Sequence, residues 1–110
     1  MTNESANSNE FIFKILTGDQ FHEAKASGLF AGSPDDARDG FIHFSTETQV
    51  AGTLQKHFAG QSGLVILRFA ANSFGEELKW EPSRNGELFP HLYGVFNMSQ
   101  AEDVTSIFLT

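Results

Sequence analysis

Apolar residues come in short blocks along the chain, and polar stretches rich in glycine separate them. The first block, Phe11-Ile12-Phe13-Lys14-Ile15-Leu16, is nearly continuous, the pattern of a strand covered on both faces, with one lysine set inside it. Thr17-Gly18-Asp19-Gln20 has the spacing of a capping box, in which the threonine hydroxyl and the glutamine amide each satisfy a backbone N–H. It predicts a helix over 18–27, ended by Gly28, with a sparse apolar face of Phe21, Ala24 and, beyond the cap, Leu29. Residues 31–39 carry Gly32, Ser33-Pro34 and Asp35-Asp36 and read as a surface loop. Residues 41–45 give a short strand, and Thr46-Glu47-Thr48-Gln49 reads as a second capping box that opens a helix to about residue 58. Val50, Leu54 and Phe58 lie on its expected core face, and Gly60 supplies the stop. Residues 64–69 form the strongest predicted strand and 78–81 a shorter one. A turn over 82–86 leads to an extended piece at 87–89, an irregular segment at 90–94, a helical turn near 99–103 and a last strand over 104–109.

Two main helices with strands before, between and after them lack the regular alternation of a doubly wound sheet. They predict a compact single α+β domain over residues 11–110, with a mixed or antiparallel sheet of about five or six strands. Its core should include Phe13, Ile15, Phe21, Ile42, Phe44, Val50, Leu54, Val65, Leu67, Trp80 and Ile107. Residues 1–10 are polar and lack both a basic residue and an apolar run, so they are expected to be a disordered leader rather than a secretory signal.

At 110 residues there is material for one hydrophobic core, and twelve phenylalanines make it aromatic. No apolar run approaches the ~20 residues of a membrane span. The absence of cysteine removes disulfides, thiolate nucleophiles and cysteine-ligated zinc, and the cytoplasm is the expected location. Fourteen acids against seven bases give a net charge of −7, which disfavours a nucleic-acid partner. A small nucleotide needs only one or two cations and backbone N–H groups, so it stays compatible with that charge.

Side chains able to do chemistry collect in two places, Asp39-Gly40-Phe41-Ile42-His43-Phe44-Ser45-Thr46 and the stretch from Trp80-Glu81-Pro82-Ser83-Arg84 to Phe89-Pro90-His91-Leu92-Tyr93-Gly94. Strand alternation sets His43 on one side with Ser45, and His91 on one side with Tyr93. Ser45 and Thr46 precede a predicted helix N-terminus, where anions are attracted, although Thr46 needs no role beyond capping. A lone histidine is more often a structural hydrogen-bonding residue than a catalyst. Glu81 fits a general base or a hydroxyl acceptor and equally an ion pair with Arg84. Tyr93 has a large structural share of its own, since buried tyrosine hydroxyls commonly bond backbone. Arg68, inside a buried strand, is expected in a structural salt bridge, and His22 and His57 at helix surfaces. A zinc site from His43, His91 and Glu81 has no recognised ligand spacing and ranks well below a metal-free pocket. The five residues His43, Ser45, Glu81, His91 and Tyr93 are expected to line one cleft.

Ile12-Phe13-Lys14-Ile15-Leu16, a helix ending in Ala26-Ser27-Gly28, the run from Asp39 to Thr46, Gln49-Val50, Leu78-Lys79-Trp80-Glu81 and the run from Phe89 to Gly94 together resemble the bacterial family called domain of unknown function 952. The resemblance covers essentially residues 11–109 and implies an ADP-ribosyltransferase-like fold, with no family-wide reaction attached. A more distant similarity reaches RNA 2'-phosphotransferases, in which Ile42-His43-Phe44-Ser45 matches the second histidine of a conserved strand. Those enzymes place a histidine or arginine on the first strand where this chain has Lys14, and Glu81 and Glu87 are both candidates for the transferase glutamate.

Three functions are consistent with these residues. A transferase or hydrolase acting on NAD or another nucleotide-like molecule would use Lys14 or Arg84 for phosphate, Ser45 and Thr46 as ligand contacts, His43 and Tyr93 for nicotinamide or ribose, and Glu81 to polarise a hydroxyl, with His91 a further catalytic candidate. A non-catalytic binding module would keep the pocket alone. An interaction protein would instead expose an aromatic patch.

Overall fold

Residues 10–83 and 85–107 are described by a computed structural model of the chain. The apolar run at the start becomes strand β1 (Phe11–Leu16), which pairs antiparallel along its whole length with β5 (Leu64–Ala70), from Phe11 opposite Ala70 to Leu16 opposite Val65. β4 (Ser45–Thr46) joins the outer side of β1 and β9 (Asp103–Ile107) that of β5, giving a four-stranded sheet in the order β4-β1-β5-β9. A second sheet holds β3 (Ile42–His43), β7 (Leu88–Leu92) and β6 (Leu78–Pro82) in that order, and β2 (Leu29–Phe30) pairs with β8 (Phe96–Asn97) in a third. Every pairing among the described residues is antiparallel. Among the described residues three α-helices complete the single α+β domain: α1 (Gly18–Ser27), α2 (Pro34–Asp39) and α3 (Val50–His57).

Alternation puts Ile12 and Leu16 of β1 beside Val65, Leu67 and Phe69 of β5 on the core face. Ile42, Phe44, Leu92, Phe30 and Phe96 close over them. The Phe69 ring lies 4.6 Å from that of Phe96 and meets Phe44 edge-on at 5.6 Å. Full burial of such a ring is worth about 1.5–3 kcal/mol, so Phe69 and Phe96, each 0% exposed, are principal anchors of the fold.

α1 spans the predicted residues: Thr17 Oγ1 accepts the Gln20 N–H at 3.1 Å, the Gln20 side chain accepts the Thr17 N–H at 2.9 Å, and Gly28 ends the helix at φ 87°. The expected loop over 31–39 contains α2 instead, so the helices number three rather than two. Ser33 and Asp36 make a second capping box with Pro34 in the first turn, and Gly40 ends it. α3 starts at Val50, later than expected, because Thr46 lies in β4 and its hydroxyl faces that of Thr48 rather than a helix N–H. The supposedly irregular 90–94 segment belongs largely to β7, which runs to Leu92, and the helical turn falls at Met98–Gln100. Among the described residues nine strand segments exceed the expected five or six because four of them are only two residues long.

Of the expected core, Ile15, Ile42, Phe44, Val65 and Leu67 are buried. Phe13, Phe21, Val50, Leu54 and Trp80 are half-buried, α3 having no fully buried residue, and the Ile107 side chain lies outside the described residues. Leu29 is exposed in β2. Arg68 makes no ion pair with a described residue. Its guanidinium lies over the Phe11 ring at 4.6 Å, a cation–π contact in place of the expected salt bridge. The expected leader falls outside the described residues except for Glu10. No described helix is long and apolar enough to cross a membrane.

Candidate functional site

His43 and His91 face each other directly across the β3–β7 pair, with ring centroids 5.5 Å apart. Directly paired residues of antiparallel strands share a face, so both imidazoles stand on one side of the sheet. Phe41 sits between them, stacked on His91 at 4.0 Å and tilted against His43 at 4.6 Å and Tyr93 at 5.3 Å.

Each histidine has its own carboxylate. His91 Nδ1 lies 2.7 Å from Glu81 Oε1, and the Tyr93 hydroxyl donates to both Glu81 oxygens at 2.9 and 3.1 Å. Lys79 opposes His91 and Glu81 opposes Phe89 in the β6–β7 register, so Glu81 reaches His91 diagonally across the pair. The hydrogen bond from His91, then that from Tyr93, holds the Glu81 carboxyl below its ordinary range, and the same contact pushes the Tyr93 hydroxyl up. His43 is different: Nδ1 meets Asp36 at 2.6 Å and Nε2 meets Asp39 at 2.9 Å, so both ring nitrogens are engaged. Hydrogen bonding to Arg38 comes first in lowering the Asp39 carboxyl, with His43 a smaller contribution.

Behind His43 lies a buried ion pair. Lys14 Nζ sits 2.9 Å from Asp36 Oδ2 and donates to the His43 carbonyl at 2.9 Å, and both residues are nearly inaccessible. Asp36 also accepts the Ser33 and His43 backbone N–H groups. Burial raises the Asp36 pKa, but the His43 hydrogen bond, the Lys14 charge and the Ser33 N–H outweigh it and leave the carboxyl well below its ordinary range. Burial likewise dominates at Lys14 and lowers its pKa despite Asp36. The ammonium expected at a phosphate therefore already has two protein partners.

A cavity of about 560 Å³ opens where α3 and the β6–β7 hairpin approach β1, within the size range of small-molecule sites. His43, Ser45 and His91 line it together with Phe13, Ile15 and Phe58. Glu81 and Tyr93 are absent from the lining and stand behind His91. The Ser45 hydroxyl is paired with that of Thr53 at 2.9 Å, Thr46 lies half-buried in β4, and Arg84 lies outside the described residues. No group of three metal-ligating side chains occurs among the described residues.

The family profile described as "Protein of unknown function (DUF952)" matches residues 15–104. This chain belongs to the DUF952 family. Among solved structures it is similar to protein CC0527 from Caulobacter crescentus, at 44% identity over 91% of this chain and 88% of that one, with a TM-score of 0.87 in the crystal. The solution structure of CC0527 matches with a TM-score of 0.82 and 86% coverage of that chain. No curated protein matches. In this DUF952 chain the residues that sequence reasoning missed are Asp36, Asp39 and Phe41 beside the two histidines, and Gln49 and Lys56, which also line the cavity. Asp36 was hidden in an apparent loop, and Gln49 in an apparent cap. The Ser33-Pro34-Asp35-Asp36 spacing was the available signal, being a capping box with proline in the first turn.

Proposed function

We propose that the chain is a cytoplasmic enzyme that binds a small nucleotide-like molecule in the cavity and transfers or hydrolyses one of its groups, with His91 as general acid and base. The observation that carries this reading is the position of His91 in the cavity wall with Nδ1 held by Glu81, which is itself held by Tyr93. A histidine that donates Nδ1–H to a carboxylate keeps its lone pair on Nε2, the arrangement by which a carboxylate orients a catalytic imidazole. His91 takes a proton from the attacking hydroxyl or water and returns it to the leaving group. Glu81 orients the ring and balances the charge it gains. His43, engaged at both nitrogens, shapes the wall and holds α2 against β3, while Ser45 and Thr46 offer polar contacts beside it. Arg84 belongs to this reading as a cation on the phosphate side, while Lys14, paired with Asp36, braces the wall behind His43. The ADP-ribosyltransferase-like fold implied by the resemblance makes NAD the first ligand to test.

The test is a thermal-shift series with NAD, ADP-ribose, AMP and zinc on the wild type and His91→Gln, followed by chromatography for products. A nucleotide present at a hundredfold excess over its dissociation constant stabilises the fold by about 2.7 kcal/mol. Nucleotide stabilisation with product formed by the wild type and lost in His91→Gln supports the proposal. Binding without product reduces it to a non-catalytic binding module, and stabilisation by zinc alone overturns it.

A further inference from the structure

We infer that the ligand of this cavity is bipolar, presenting a hydrogen-bond donor to Glu87 and an anionic group to Lys56, with α3 setting the distance between them. The inference rests on the nucleotide-like reading above and adds which groups of that molecule the chain recognises. Gln49 builds the first end. It is 8% exposed, and its oxygen and amide hydrogens are all engaged: Oε1 accepts the Thr46 N–H at 2.9 Å, while Nε2 donates to Glu87 Oε2 at 3.1 Å and to the Leu88 carbonyl at 2.8 Å. A carboxylate in the cavity wall is thereby fixed beside the start of α3. Glu81, the other carboxylate left open by the sequence, is taken by His91 and Tyr93 and lies outside the lining.

Lys56 builds the second end. It stands in the last turn of the same helix and lines the same cavity, and among the described residues it enters no ion pair. It stands seven positions after Gln49, which at 1.5 Å per residue places the two ends about 10 Å apart along the axis. The other lining lysine, Lys14, is engaged by Asp36, so among the described residues the outward-facing lysine charge of this wall sits at Lys56. Phe13 and Phe58 supply an apolar surface for a flat ring. A carboxylate accepts from an amino or hydroxyl group and an ammonium pairs with phosphate, so a mononucleotide reaches both ends. A nucleoside reaches only the Glu87 end and free phosphate only the Lys56 end.

Isothermal titration calorimetry of AMP, adenosine and inorganic phosphate against the wild type, Glu87→Gln, Gln49→Ala and Lys56→Ala tests this, with circular dichroism confirming that each variant is folded. Loss of one charge-assisted hydrogen bond corresponds to about tenfold or more in affinity. Glu87→Gln should weaken AMP and adenosine alike by that factor, and Gln49→Ala should do the same while adding little on top of Glu87→Gln. Lys56→Ala should weaken AMP by about tenfold and leave adenosine unchanged. Equal loss of AMP and adenosine in Lys56→Ala, or inorganic phosphate binding as tightly as AMP, overturns the two-ended site. A wild type that binds AMP with both charges dispensable overturns this inference and leaves the proposed function standing. A wild type that binds neither these molecules nor NAD and ADP-ribose overturns both.

Discussion

Asp36 concentrates more of the molecule's energetics than any other single side chain of the site. The Lys14 ammonium, the Ser33 N–H, the His43 N–H and the His43 ring all converge on one carboxylate that is 2% exposed. Removing one member of a buried pair leaves the other charge uncompensated, at about 3–5 kcal/mol. Asp36→Ala should therefore lose stability on that scale in urea unfolding. Lys14→Met should lose less, because the donors from Ser33 and His43 still satisfy the carboxylate. The Asp36 pKa is lower folded than unfolded, so its contribution is complete above the ordinary value of 3.8 and is lost as pH falls through the folded value. The wild-type melting temperature should accordingly drop more steeply below about pH 4 than that of Asp36→Ala. At the other histidine, Tyr93→Phe removes one of the two side chains whose hydrogen bonding lowers the Glu81 carboxyl. A carbon-13 titration should show Glu81 moving up toward its ordinary range, with the His91 contact still present. His43 and His91 could be singled out from strand parity together with the family resemblance. Asp36 was not, since serine, proline and aspartate suit a turn as well as a helix start.

Caps rather than apolar faces decide α1 and α2. Pro34-Asp35-Asp36-Ala37-Arg38-Asp39 offers no apolar stripe, which is why α2 escaped a reading based on hydrophobic period. Its ends are closed by Ser33 and by Gly40 at φ 89°, where a side chain would be strained. Ser33→Ala should cost about 1 kcal/mol, as for other N-caps. Because α2 carries Asp36 and Asp39 to His43, the same change should shift the His43 ring resonances, whereas Thr17→Ala at α1 should cost a similar amount and leave them in place. α1 was legible because capping box and terminal glycine bracket it together. The start of α3 misled because only the Gln49 half of the expected box forms: its side chain accepts the Thr46 N–H, while Thr46 lies in β4 with its hydroxyl toward Thr48.

Across the whole molecule, protection should follow the sheet order. β1 and β5 each have neighbours on both sides, and core residues of both strands are fully buried. Amide exchange should be slowest at Lys14, Leu16, Leu67 and Phe69 and much faster in α3, which has no buried residue. A mass-spectrometric exchange experiment in which α3 outlasts β5 would contradict this ordering. The α+β class was readable from two capped helices among apolar runs. The division into three sheets was not, because β2, β3, β4 and β8 are too short to carry a periodic signal. That division makes one residue a seam. Phe44 is 2% exposed between His43 of one sheet and Ser45 of another, and its N–H donates to the Pro90 carbonyl at 3.0 Å. Both neighbours line the cavity. Any occupant that presses on either wall must be felt by that one enclosed ring, so the chain carries a built-in gauge, and a fluorine placed on Phe44 would read it.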